Sequence, residues 1–466
     1  MAEQLNKYNL PIKKLISTIK NIWSIEELRS RIIQTLILLA VYRVGTFIYL
    51  PGVDPVVMNE KYGTSTQGGL LGLINTFSGG AFDRASIFAL GIMPYISASI
   101  VVQLLTFALP AFQRLSKEGE DGRRKINQIT RYLTILVSAV QAVAYIVQLK
   151  STKADAIYAL QQNAPISMFS FTLLAVVTLI AGTMFTTWLG ERITDRGLGN
   201  GISLIIMVGI ISRLPFSLVG ELNSRLGGAG GPIIFLVEIA IWLSVILCVI
   251  LLIQGTRRVP VQYAKRIVGN KQYGGVRQYL PLKINGAGVM PIIFAQALMF
   301  IPSTITSFMS GKSTALSGFF AQFLSITSIG YNVLFFVLII LFTYFYTAIT
   351  YNPVQISEDL KRNGGFIPGI KPGKKPADFI DTIISRITFP GAIFIGIVAI
   401  LPSFAIISGV NDQFAQFYGG TSLLILVGVV LDTLAQIDTH LSMRKYDGLM
   451  KYGRIKGRTA TGGSLT

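Results

Sequence analysis

The chain has 466 residues, 51% hydrophobic and only 14% charged, with 41 lysines and arginines against 22 acidic residues for a formal net charge of +19. Soluble domains carry about a quarter charged residues, so this composition excludes a soluble globular protein and defines a polytopic membrane protein. One cysteine, Cys248, excludes an internal disulfide, and one histidine, His440, leaves no cluster for a metal site.

The chain opens with a polar, lysine-bearing segment in which no cleavable signal peptide is expected. Leu10, Ile12, Leu15, Ile16, Ile19, Ile22 and Trp23 recur at helical spacing with Lys13, Lys14 and Lys20 between them, which predicts an amphipathic helix on the membrane surface over 1–29. Ten spans are expected near 30–50, 86–109, 129–149, 169–189, 201–219, 232–254, 287–309, 331–352, 387–409 and 419–441. Basic residues alternate between the connections as the positive-inside rule requires. The N-terminal segment, the second-to-third connection (Arg114, Lys117, Arg123, Arg124, Lys125), the loops 255–286 and 353–386, and the tail 442–466 are basic. The connections between these are nearly bare. Both termini and the basic loops are therefore expected in the cytosol. Five spans on each side of the Gly/Pro-rich connection 227–232 predict two halves, 30–226 and 232–441, and an odd span count per half makes any repeat an inverted one.

The segment from Gly69 to Pro110 breaks this regularity. A short apolar piece, 69–76, reaches roughly half way through a hydrocarbon core about 30 Å thick. Gly79-Gly80 interrupts it, and the second span follows. A discontinuous membrane helix of this kind is tolerated only where protein or a watery cavity surrounds it. The stretch FSGGAFDRASIFALGIMPYISASI, with GERITDRGLGNGISLII (190–206), LPLKINGAGVMPIIF (281–294) and GGTSLLI (419–425), resembles the SecY family, channel subunits of the bacterial Sec translocon. Matching motifs recur from about Arg29 to Arg454.

The resemblance implies an all-α polytopic membrane protein of ten transmembrane helices in two pseudo-symmetric inverted halves, a clamshell, with a re-entrant plug half-helix. It implies an hourglass pore closed at its waist by Ile92, Ile96, Ile202, Ile206, Ile293 and Ile425. Branched apolar side chains suit a constriction that gates by dewetting and holds no passing chain. The plug maps to about 70–84, with Leu70, Gly72, Ile74, Phe77, Gly79, Gly80 and Arg84, and its glycines predict a mobile, weakly anchored element that also packs closely. The second and seventh spans would form a lateral gate through which signal sequences and membrane spans reach lipid. Pro94 and Pro291 are expected to weaken those helices, and Ser97, Ser99 and Gln103 to hydrogen-bond across the seam.

The loop 257–283 carries Arg257, Arg258, Lys265, Arg266, Lys271 and Arg277 with no acid among them, and with Tyr263, Tyr273 and Tyr279 interleaved. Such a surface attracts polyanions: ribosomal RNA phosphates or anionic lipid. Lys361, Arg362, Lys371 and Lys374 flank the turns of FIPGIKPG. The resemblance makes these loops the docking sites of the SecA motor and the ribosome, and implies SecE and SecG subunits, with SecDF and YidC as further partners. Most family members carry arginine where this chain has Lys371, which lacks the planar fork for bidentate contacts.

Among ionisable groups inside spans, Arg43 and Asp432 lie at comparable depth, which predicts an ion pair; Glu238 has no evident partner. No cofactor is implied. An intramembrane protease would need a zinc HExxH, paired aspartates or a Ser–His dyad, none of which is present. A secondary transporter shares broken helices and inverted halves, but predicts polar groups at the midplane where isoleucines are expected here. With no P-loop, driving force must come from partners or from the membrane potential.

Overall fold

A computed structural model describes residues 23–62, 70–158, 167–227, 231–263, 266–268, 271–273, 277–309, 325, 327–371 and 374–452. Most of the expected surface helix at 1–29, Lys265 and the end of the tail lie outside the described residues; so do the side chains of Leu70, Arg266 and Lys271.

Ten helices correspond one for one to the expected spans: α1 (Glu26–Gly45), α4 (Met93–Ala108), α6 (Glu120–Thr152), α7 (Met168–Arg196), α8 (Gly201–Leu226), α9 (Gly231–Gln254), α10 (Met290–Met309), α11 (Ile329–Thr350), α13 (Lys375–Ile407) and α15 (Gly420–Tyr452). Among the described residues five shorter helices join them: α2 (Pro55–Tyr62), α3 (Leu70–Phe77), α5 (Pro110–Lys117), α12 (Pro353–Arg362) and α14 (Asp412–Ala415). Several spans run past the apolar stretch. The 33-residue α6, α13 and α15 carry their polar turns beyond any hydrocarbon layer about 30 Å thick.

The second span departs from expectation at its start and ends where expected. Helix starts at Met93 and not near residue 86, because the chain at 86–92 makes other bonds. Ile87 N–H donates to Ile48 O, Leu50 N–H to Ala85 O, and Tyr49 pairs with Ser86 as an isolated bridge. Left-handed backbone at Ala85 and Gly91 completes the turn. At the other end Leu109 is extended, as a residue before proline tends to be, and α5 leaves α4 at 99°.

The basic loops hold β-structure that the expectation of simple loops missed. Strand β1 (Thr256–Tyr263) pairs antiparallel with β4 (Arg277–Lys283), and β2 (Arg266–Val268) with β3 (Lys271–Tyr273). The two-residue β5 (Gly365–Phe366) adds to the other edge of β1, giving the order β4–β1–β5. Val259 and Leu282 pack with Ile367, Ile380 and Ile384 and Val261 is buried on the same face, while Arg258 and Arg277 lie on the opposite face and Arg257 is exposed at the start of β1. One sheet thereby fuses the loops 255–286 and 353–386 into a single basic platform.

Candidate pore constriction, plug and seam

All six isoleucines expected at the waist fall in one apolar cluster. Ile92, Ile206 and Ile425 are buried, and Ile96, Ile202 and Ile293 pack against them. They come from four helices and sit in the first two turns of each, with Ile92 at the N-cap of α4. Local chemistry sets those starts. Asn200 caps α8 by accepting from the N–H groups of Ile202 and Ser203. Gly190 and Gly201 let α7 and α8 approach where any Cβ would collide: one on Gly201 would lie 2.1 Å from Gly190 O. On one side of the cluster is a cavity of about 410 Å³, lined by Ile96, Ile202, Ile206, Ile293 and Ile425 together with Ser99, Gln103, Asn200, Ser203, Asp432 and Thr433. On the other side Phe77 of α3 belongs to the cluster itself.

The segment 70–84 is firmly anchored, contrary to the expectation of a weakly held element. Thr76 Oγ1 donates to Gln416 Oε1 at 2.6 Å, and Arg43 Nη1 to Gly79 O at 2.9 Å. Tyr145 Oη donates to Phe82 O at 2.7 Å, and Lys153 Nζ to Asp83 O at 2.5 Å. Arg213 pairs with Asp83 at 3.3 Å, and Asn75 Nδ2 also donates to Asp83. Burial holds the Lys153 ammonium below its ordinary value, with Asp83 pulling it back up. Arg43 and Arg84 both lie over the Phe47 ring, at 5.0 and 4.4 Å.

The glycines here serve close approach rather than mobility. Gly79 and Gly80 have φ of +65° and +90°, and a Cβ on them would meet Arg43 Nη1 at 2.9 Å and Arg213 Nε at 3.0 Å. Across the contact, a Cβ on Gly209 of α8 would lie 2.3 Å from Phe77 O. Gly72 and Ile74 are buried on the same segment. Arg43 thus serves Gly79, and the expected Arg43–Asp432 ion pair does not form: Asp432 lines the cavity on the far side of the isoleucines. Arg213 and Asp83 escaped the sequence reading, although Arg213 lies inside a span and the rule that singles out Arg43 finds it as well.

At the seam, α4 places Ser99 and Gln103 on the cavity opposite Met290 and Ile293 of α10. Two expectations fail. Gln103 Nε2 donates at 3.4 Å to Ser99 on its own helix and not across. Pro94 and Pro291 are each the second residue of their helix, where the N–H has no intrahelical acceptor to lose, so neither weakens it. Ser97 is half-buried on α4. Further along, Phe107 of α4 meets Phe345 of α11 edge-on at 6.0 Å.

A ten-helix bundle with an apolar waist, a cavity on one side and a re-entrant segment seated on the other defines a polytopic membrane channel held shut. The SecY family model matches residues 86–434. The protein translocase subunit SecY of Chlamydia trachomatis is 41% identical over 470 residues, covering 95% of this chain and all of that one. The fold is similar to a solved protein-conducting channel, with a TM-score of 0.62 at 19% identity over 92% of this chain and 95% of that one. It is also similar to Sec61 in a canine ribosome–channel complex, with a TM-score of 0.57 at 18% identity over 92% and 95%. The chain belongs to the SecY family and is a pore-forming translocon subunit.

Proposed function

We propose that the chain conducts unfolded secretory polypeptides across the bacterial plasma membrane and releases membrane spans sideways into lipid. Ile92, Ile96, Ile202, Ile206, Ile293 and Ile425 serve as the pore ring, residues 70–84 as the plug, and α4 with α10 as the lateral gate. The observation that carries this is the single apolar cluster in which Ile92, Ile206, Ile425 and Phe77 are buried and Ile96, Ile202 and Ile293 pack against them. An apolar waist sealed from one side stops ions by dewetting, yet offers a passing chain nothing to bind. The basic ends face the cytosol with both termini, in keeping with the charge alternation.

Translocation involves no covalent step by this chain. The driving force comes from a ribosome or from the SecA motor docked on the basic platform, where Arg257, Arg258, Arg277, Lys361, Arg362, Lys371 and Lys374 meet phosphates or acidic side chains. The same cations touch anionic lipid headgroups when undocked. SecE and SecG complete the complex, with SecDF and YidC beside it, and the Sec61 neighbour in a ribosome–channel complex supports a ribosome as partner. The decisive experiment is polar substitution of the waist. Ile92→Asn and Ile206→Asn should each let ions through resting channels in planar bilayers; channels that stay silent while losing uptake of a small solute would point to a transporter.

A further inference from the structure

The two halves are joined covalently only at Gly227-Gly228-Ala229-Gly230-Gly231, between α8 and α9. Beside it lies an ionic knot whose members the sequence reading left without partners or did not notice. Arg225 of α8 donates from Nε to Glu221 Oε1 at 2.8 Å, from Nη2 to Glu238 Oε1 of α9 at 2.6 Å, and from Nη2 to Gly409 O at 2.7 Å. Glu221 Oε2 in turn accepts from Asn411 N–H at 2.9 Å. The three side chains are 9%, 1% and 8% exposed for Arg225, Glu221 and Glu238.

One guanidinium therefore binds the last span of the N-terminal half, the first span of the C-terminal half, and the 409–411 turn between α13 and α14. A planar fork with charged partners on separate segments admits one relative orientation of those segments. Buried ion pairs add little net stability over apolar replacements, and the use best attested for them is to specify one arrangement of the segments they join. Trp242, one turn along α9 from Glu238, donates to Phe417 O at 2.7 Å, and so extends the joint from the knot to the chain that precedes α15.

We propose that Arg225 is a positioning residue: held by Glu221 and Glu238, it fixes the angle between the halves at the joint and thereby keeps the gate and the waist closed at the far side. This rests on the reading of α4 and α10 as the gate. The test uses the full chain with its partner subunits in planar bilayers, comparing the parent, the triple variant Glu221→Gln/Arg225→Met/Glu238→Gln, and Ile206→Asn. The triple variant leaves no unpaired buried charge, so it should assemble with parent-like thermal stability. Its resting conductance should rise at least about tenfold, which a merely stabilising cluster would not cause. Parent-like conductance in the triple variant, where Ile206→Asn leaks, overturns the knot's role and leaves the channel reading standing. Silence in both overturns the channel reading and the knot with it. If the triple variant does not accumulate, Arg225→Lys carries the same test: it keeps the charge and loses the fork, and the same rise or its absence decides.

Discussion

The Asp83–Arg213 pair offers the sharpest test of how the plug is held. Asp83 is the carboxylate of the proposed plug, residues 70–84, and Arg213 Nη2 approaches it at 3.3 Å with side-chain exposures of 24% for Arg213 and 11% for Asp83. Breaking a fully buried pair by removing one partner costs about 3–5 kcal/mol. Here the site is partly open and Asp83 keeps Asn75 as a donor, so the expected cost is about 2 kcal/mol, between that range and the ~0–1 kcal/mol of exposed pairs. At 1.4 kcal/mol per factor of ten, the plug should be displaced roughly 30-fold more often. Asp83→Asn should exceed Arg213→Gln, because it leaves Arg213 beside Arg84 and Lys153 without their counter-charge. Resting single-channel recordings on the two single variants and the double variant form a cycle, and the double should resemble the worse single rather than the product of the two. Multiplicative effects, or currents no different from the parent, would refute the latch.

Two further outcomes follow from other contacts. Gly209→Ala places a methyl group 2.3 Å from Phe77 O and should lift the plug from α8; a cysteine at Ser78, buried in the parent, should then react with a thiol reagent added from the plug side. Reversing the exposed charges of the sheet, with Arg257→Glu, Arg258→Glu and Arg277→Glu, should weaken binding of ribosomes or of the motor to membranes carrying the channel. The residual binding of that variant should depend less steeply on salt than the parent's, since fewer counterions are released on contact.

The spans were legible because twenty or so apolar residues leave few alternatives, and the glycine break at Gly79-Gly80 was legible because no span tolerates it without a reason. The waist isoleucines could be placed only through motif resemblance, since an isoleucine in a span ordinarily faces lipid or a neighbouring helix. The plug latch was hidden by distance along the chain: Asp83 finds Arg213 130 positions on, and Thr76 finds Gln416 340 positions on. Glu238 looked partnerless because Arg225 sits on the far side of the glycine link, counted as part of a connection rather than of a helix that runs to Leu226. The sheet left a trace in the alternating burial of Val259 and Val261, obscured by Pro260 and by the density of charge around them. The two gate prolines misled because a proline in a helix reads as a kink until the helix start is known to one residue.

The sheet on the basic end grows directly out of two spans. Strand β1 begins two residues after α9 ends, and β4 runs into the short turn before α10. Strand β5 locks the loop between α12 and α13 onto the same surface. A load placed on that sheet is accordingly carried by α9 and α10, and through β5 and the packing beneath it by α13, much as a handle moves the panel to which it is bolted. A motor gripping the handle has leverage over one leaf of the clamshell and none, through these strands, over the other.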